Sequence, residues 1–199
     1  MGKSVENQTK KSGRDIFRKY RFVFKISSAI LRPVPKGLLR TLWPFLDVFR
    51  GKCGLFIRYL IIKKLCNNSG ENIYVGHNVT ILKHENLSLG ENVSIHPNCY
   101  LDASGNIEIG SNVSIAHNSS IISFEHTWSD PSISIKYNQI VLKPVKIEND
   151  VWVGCGCRVL GGTTIKNRTI VAAGAVVTTD IGPNALFGGV PARFIKNLN

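Results

Sequence analysis

The chain has 199 residues, enough for one domain with a sizeable core and short of two typical ones. With 43% hydrophobic and 19% charged residues, 18 Gly and 8 Pro, it falls outside the disordered, collagen-like and low-complexity classes. The formal charge of +12 is unevenly spread, because residues 1–70 hold 16 Lys/Arg against 3 Asp/Glu while residues 71–199 hold 9 against 10. The body therefore has no bulk attraction for nucleic acid, and any preference for a polyanion or a membrane surface belongs to the N-terminal segment. Five cysteines (53, 66, 99, 155 and 157) are too few and too irregularly spaced for a disulfide framework. With no cleavable signal visible, a reducing cytosol is the expected compartment.

Residues 1–70 interleave Leu, Ile, Phe and Trp with Lys and Arg, as in Gly54-Leu-Phe-Ile-Arg-Tyr-Leu-Ile-Ile-Lys-Lys-Leu65. The longest stretches without a charge are six residues, such as Ile26–Leu31 and Thr41–Leu46, against the ~18–20 needed to cross a bilayer. Two compatible readings remain. The segment predicts helices that cap the open end of a solenoid, or a basic amphipathic surface resting on anionic lipid through residues such as Arg14, Arg18, Lys19, Arg21 and Lys25. The second reading would place the protein peripherally on the inner face of the membrane.

From residue 75 the chain repeats with a period of six. Ile147, Val153, Val159, Ile165, Val171 and Val177 follow one another without a miss. Four residues after each come Val151, Cys157, Thr163, Thr169, Ala175 and Ile181, mostly small. The same register appears in Leu89, Ile95 and Leu101 and, after a slip of two, in Ile109, Ile115 and Ile121. A helix needs apolar residues every 3.6 positions and a single strand alternates with period two over a short run. A period of six fits a parallel β-helix, in which three hexapeptides close one triangular coil and the aliphatic residue stacks inward on its equivalents. The narrow interior explains the small second inward residue. Asn, Gly and Asp at Gly90-Glu91-Asn92, Gly110-Ser111-Asn112 and Glu148-Asn149-Asp150 suit sharp corners. An ordinary β-sandwich would not keep a fixed period over this length.

The register breaks for 26 residues between Ile121 and Ile147, which predicts a loop protruding over residues 124–143. Beyond Ile181 the pattern stops, and Phe194–Leu198 is expected to form a short terminal helix. The organisation read from the sequence is thus a basic helical segment (1–70) and a β-helix domain (71–199).

The runs Pro144-Val-Lys-Ile-Glu-Asn-Asp-Val-Trp-Val-Gly154, Gly161-Gly-Thr-Thr-Ile165, Val171-Ala-Ala-Gly-Ala-Val-Val-Thr-Thr-Asp-Ile-Gly-Pro183 and Gly188-Gly-Val-Pro-Ala-Arg193 resemble the hexapeptide-repeat acyltransferases. The branch they are most similar to is that of the galactoside, maltose and polysaccharide O-acetyltransferases. The resemblance covers about residues 70–199. It implies a left-handed β-helix, an exception to right-handed crossovers, a homotrimer with sites in the clefts between subunits, and acetyl-CoA as donor with no metal.

Acetyl transfer to a hydroxyl needs a base for the departing proton and donors for the oxyanion. Histidine titrates in the right range, and the chain has five, at 77, 84, 96, 117 and 126. The resemblance places the catalytic one at His126, with Glu125 or Asp130 as weak candidates to orient its ring. It also implies coenzyme contacts at Cys155, Gly156, Ala173 and Thr178, where small side chains allow close approach, and cations for the phosphates at Arg193 and Lys196. Thr179 stands where a lysine is frequent in the sugar acetyltransferases. Trp152 matches the family's tryptophan beside the thiol channel, and His96 and Asn98 compete for the position of a substrate-orienting asparagine. The expected acceptor is a saccharide, either a surface polysaccharide or its lipid-linked precursor. The alternatives are an amino sugar or antibiotic as acceptor, and a metal-dependent hydratase similar to the γ-type carbonic anhydrases, for which His96, His117 and His126 would have to converge. The single Cys155-Gly-Cys157 is a weak metal motif.

Overall fold

A computed structural model describes residues 13–198. Three helices, α1 (Gly13–Ile30), α2 (Lys36–Leu42) and α3 (Gly51–Leu65), precede a parallel β-solenoid, with a 3₁₀ turn over Trp43–Val48 between the second and third helices. The solenoid is a left-handed β-helix of about six turns. Face 1 stacks Asn68–Ser69, Leu87–Leu89, Ile107–Ile109, Val145–Ile147 and Thr164–Ile165. Face 2 stacks Tyr74–Val75, Ser94–Ile95, Ser114–Ile115, Trp152–Val153, Ile170–Val171 and Ala185–Gly188. Face 3 stacks Thr80–Leu82, Tyr100–Asp102, Ser120–Ile122, Arg158–Val159 and Val176–Val177.

The register follows the hydrophobic period. Leu89, Ile109, Ile147 and Ile165 align down face 1, Val75, Ile95, Ile115, Val153 and Val171 down face 2, and Ile81, Leu101, Ile121, Val159 and Val177 down face 3. Ile95, Leu101, Ile115, Ile121, Ile147, Val153, Val159, Ile165, Val171 and Val177 have no accessible surface, and each such burial stabilises by about 1.5–3 kcal/mol. The small partners also lie inside, with Cys157, Thr169 and Ala175 fully buried.

The two-residue slip has a local cause. All extra residues enter at the corner between faces 3 and 1. The first coil places the 3₁₀ turn His84–Asn86 there, the second Ala103–Asn106, and the third the long excursion. That excursion is an ordered hairpin rather than a plain loop. Phe124–His126 pairs antiparallel with Ile140–Leu142, and the buried Asn138 carboxamide donates to the carbonyls of Asp130 (3.1 Å) and Ile133 (3.2 Å) across its tip. The fourth coil closes tightly through Gly161-Gly162, where a Cβ on Gly161 would meet Lys143 Cβ at 2.9 Å.

At the corner between faces 1 and 2 the third residue is always left-handed: Asn72, Asn92, Asn112, Asp150, Arg168 and Asn184 have φ between 53° and 59°. Asn tolerates this conformation best among residues with a Cβ. Its carboxamides also link coil to coil, Asn72 Nδ2 to Asn92 Oδ1 at 2.9 Å and Asn92 Nδ2 to Asn112 Oδ1 at 3.1 Å.

The expected C-terminal helix is not formed. Arg193–Asn197 is a strand, antiparallel to Ala185–Gly188. The last strand of face 2 leaves a row of unpaired backbone groups, and the tail satisfies them. The contact of the Phe187 and Phe194 rings (5.9 Å) holds the return. A five-residue helix would have left that edge open and gained little of its own.

Candidate functional site

The sequence-derived site residues fall on two corners of the triangle and on face 2. At the corner between faces 2 and 3, successive coils place Gly76-His77-Asn78, His96-Pro97-Asn98, Ala116-His117-Asn118, Gly154-Cys155-Gly156 and Ala172-Ala173-Gly174 above one another, with backbone bonds such as Gly156 N–H to His117 O (3.0 Å) and Gly174 N–H to Cys155 O (2.8 Å). His96, Asn98, Cys155, Gly156 and Ala173 therefore share one column, and Arg193, paired with Gly188 at the foot of face 2, ends beside it.

The column changes character downward. Its upper coils carry histidine and asparagine, and Asn78 and Asn98 (φ 53° and 60°) are bonded to each other at 2.8 Å. Below, Gly156 and Gly174 take over the left-handed position (φ 68° and 73°), and a Cβ built on either would meet nothing within 4 Å. The backbone is thus bare on its outer side, open to an extended amide chain. Arg158 braces this stretch by donating to the carbonyls of Asn118 (3.0 Å), Gly156 (2.9 Å) and Cys157 (3.0 Å). Sequence reasoning missed Arg158. The only signal was a cation at an outward strand position beside a left-handed glycine.

Cys155 and Cys157 do not form a metal pair. Cys157 is buried, its thiol reaching the Ala172 carbonyl (3.1 Å), whereas Cys155 is half-exposed on the outer column. Burial pushes the Cys157 thiol pKa up. Among the described residues no three His, Cys, Asp or Glu side chains are gathered for a metal ion. His96 and His117 sit on adjacent coils of one corner and His126 on another. The pKa of His96 is lowered by partial burial and then by the nearby His117, so it stays neutral further into acid than an exposed imidazole.

His126 ends the first strand of the hairpin, exposed, opposite Ile140, with its ring 6.3 Å from that of Phe124. The hairpin leaves the corner between faces 3 and 1. In the same coil Asn118 and Ser123 are separated by the five-residue width of face 3, about 16 Å at roughly 3.3 Å per residue. Within one protomer, then, His126 and the glycine column stand at opposite edges of a face. Thr178, which follows the last strand of face 3, lies on the His126 side, away from Ala173. The orienting carboxylates are engaged elsewhere: Glu125 pairs with Lys143, and Asp130 accepts from the backbone N–H (2.9 Å) and hydroxyl (2.6 Å) of Ser132. The two Ser132 bonds, side chain first, hold Asp130 below the usual carboxylate range.

On face 2 Trp152 and Lys196 both line a cavity of about 730 Å³ together with Asp150, Arg168 and Ile170. A second cavity on that face, about 1050 Å³, lies higher, between Phe17, Val23 and Phe24 of α1, Leu55 and Phe56 of α3, and Tyr74 of the first coil. The Tyr74 ring is 5.4 Å from that of His96, so this apolar cavity borders the histidine column.

A six-turn stack with Gly- and Asn-cornered hexapeptide coils, a hairpin inserted at one corner and a helical cap defines a hexapeptide-repeat β-helix. The family model described as bacterial transferase hexapeptide (six repeats) matches residues 144–179. The maltose O-acetyltransferase of Clostridium difficile 630 superposes with a TM-score of 0.73 at 29% identity, over 82% of this chain and 86% of that one. A galactoside acetyltransferase in complex with coenzyme A gives the same TM-score at 28% identity, over 82% and 80% of the two chains. In sequence alone, the galactoside O-acetyltransferase of Escherichia coli K12 is 41% identical over 56 residues, which is 28% of each chain. The stretch aligned in sequence thus spans about a quarter of the length of the curated relatives it matches. The resemblance to the hexapeptide-repeat acyltransferases holds at the level of both repeat and fold.

Proposed function

We propose that the protein is an acetyl-CoA-dependent O-acetyltransferase acting on a hydroxyl of a saccharide, with His126 as general base. The observation that carries this reading is the column of bare, left-handed backbone at Gly156 and Gly174. A pantetheine arm, itself a chain of amides, fits an open edge of this kind, and Arg193 lies near its foot for phosphate charges, whereas Lys196, paired with Leu186, stands further along face 2. The thioester supplies an activated acetyl carbon. His126 takes the proton of the attacking hydroxyl and returns it to the departing thiolate, so the imidazole ends as it began and no acyl-enzyme is needed.

The separation of His126 from the glycine column favours a site completed by a neighbouring copy, hence a homotrimer. The hairpin supports this. Its Trp128, Ile135, Tyr137 and Leu142 are 59–73% exposed, an apolar surface that association would cover. On the acceptor side, this reading assigns the orientation of hydroxyls to His96 or Asn98. The apolar cavity bordered by Tyr74, with Lys52 on its rim, favours a saccharide joined through phosphate to a hydrocarbon chain.

The test is acetyl transfer from acetyl-CoA across a panel of free and lipid-linked glycans. His126→Ala should lower the rate by roughly two to four orders of magnitude with coenzyme affinity little changed, and light scattering should give the mass of three chains. Near-normal turnover by the variant, or an active monomer, would sink the reading.

A further inference from the structure

Helix α1 carries apolar residues on two sides. Phe17 and Phe24 stack on one another (4.6 Å) and turn inward onto Tyr59 (5.5 and 5.0 Å) and Phe56 (5.2 Å from Phe24), which fixes the buried side. Opposite it, residues spaced by four fall on one stripe: Arg18, Phe22, Ile26 and Ile30. Phe22 and Ile30 are 75% and 68% exposed, and Val23 and Ile26 are about half exposed. The buried side already fixes the helix to the cap, so among the described residues this second stripe has no packing partner. Further along the cap Phe45, Val48 and Phe49 are also largely exposed.

Charge selects the occupant. Of the basic residues on α1, Arg21 is committed to Glu71 (3.0 Å), while Arg18 and Lys19 flank the outward stripe in solvent. The side chains of Arg14 and Lys25 lie outside the described residues. Arg32, Lys36, Arg50 and Lys52 are exposed elsewhere on the cap, and residues 1–70 carry a net +13. A second copy would bring the same positive surface and be repelled. No helix among the described residues is long and apolar enough to cross a membrane. We infer that the outward stripe of α1, Phe22, Ile26 and Ile30 with Arg18 and Lys19, docks the protein on the surface of an anionic bilayer. Aromatic and aliphatic side chains enter the headgroup boundary while the cations meet lipid phosphates and carboxylates. This inference goes beyond the acyl-transfer reading and does not depend on it.

The experiment is co-sedimentation of the full-length protein with vesicles of phosphatidylglycerol and phosphatidylcholine in equal parts, and with phosphatidylcholine alone, at low and high salt. Binding is expected only to the anionic vesicles, falling at least tenfold between roughly 50 and 500 mM salt as charges are screened. The double variant Phe22→Asp/Ile26→Asp should lose at least tenfold in partitioning with its melting temperature unchanged, because both side chains point away from the cap. Arg18→Gln/Lys19→Gln should weaken binding several-fold and flatten its salt dependence. Absence of binding to anionic vesicles at low salt, equal binding to neutral ones, or indifference to Phe22→Asp/Ile26→Asp would each overturn the inference. It would fall equally if, in vesicle-free solution, Phe22→Asp/Ile26→Asp split a larger assembly into smaller ones, since the stripe would then cover a second copy.

Discussion

In the coils the backbone satisfies itself. Every strand inside a face pairs with the one above and below, and the corners add side-chain ladders such as Asn72–Asn92–Asn112. In the helical cap, no strand reaches the connections between helices, and side-chain donors do the same work. Arg58, 3% exposed, donates through Nε to the Val75 carbonyl (2.9 Å) and through one terminal nitrogen to those of Leu46 and Phe49 (both 3.2 Å). Lys64 gathers the carbonyls of Leu31, Arg32 and Val34 at the turn between α1 and α2. Trp43 Nε1–H reaches Val79 O on the first coil at 2.9 Å. The contrast teaches that the coils distribute their stability over many equivalent positions, whereas the cap concentrates it in a few long polar side chains. Single substitutions should therefore be felt more sharply in the cap.

Arg58 is the position where that difference should be largest. Arg58→Met keeps much of the aliphatic volume and removes the donors, leaving three carbonyls without this partner. Leu46 lies on the 3₁₀ turn, Phe49 directly after it and Val75 on the first coil, so the cap would lose one of its ties to the solenoid. Breaking a buried, hydrogen-bonded charge in this way costs about 3 kcal/mol. Burial lowers the pKa of the guanidinium and nearby Asp47 raises it, and without the arginine Asp47 loses that partner charge. Chemical denaturation should show the loss, together with a red shift of the buried Trp43 emission. Unchanged stability would mean that the carbonyls are readily rehydrated and the cap is less dependent on its polar side chains than their geometry implies.

The same contrast governs what the sequence revealed. Ile147 to Val177 announce the coils because each side of the triangular interior calls for an inward aliphatic residue every six positions, so geometry is written into composition. The slip between Leu101 and Ile109, and the gap after Ile121, show that something is inserted. Only the structure shows that all insertions share one corner. The cap has no such period, and the roles of Arg58 and Lys64 depend on where distant carbonyls end. The tail strand was illegible because five mixed residues take their form from the free edge beside them rather than from their own preference. His126 and Gly156 could each be singled out through the family resemblance, Gly174 could not, and the separation of His126 from the column across face 3 depends on the hairpin's exit corner, which no periodicity encodes.

The seam between the two regions should respond to pH. His84, in the extra turn of the first coil, is 5% exposed beneath Trp43 (ring centroids 5.2 Å), and its Nε2 has no hydrogen-bond partner among the described residues. Burial, with nearby Arg40 adding to it, lowers its pKa to about 4. The unfolded imidazole titrates near 6.5, so between pH 6.5 and 4 the unfolded state binds more protons than the folded one. Stability is then full above the unfolded pKa and declines as pH falls toward 4, by about 2 kcal/mol between pH 7 and 5. His84→Leu removes the titrating group. The difference in stability between the wild type and this variant should change over that window, and a difference independent of pH would show that the ring ionises freely in place.

The smallest effect is expected within the coils, where Asn92 serves two functions that substitution can separate. Its φ of 57° is left-handed, and its carboxamide sits mid-ladder, accepting from Asn72 and donating to Asn112. Asn92→Gly keeps the conformation at no steric cost and loses only the ladder bonds, which are half-exposed and worth a few tenths of a kcal/mol each. Asn92→Ala loses the same bonds and adds the strain of an alanine at positive φ, about 1 kcal/mol more. Alanine should thus be the more harmful replacement, reversing the usual order in which Gly destabilises regular structure relative to Ala. Equilibrium unfolding of both variants decides it. If glycine proved as harmful as alanine, the ladder rather than the corner conformation would be what asparagine supplies. The corners of the coils would then resemble the cap in depending on polar side chains.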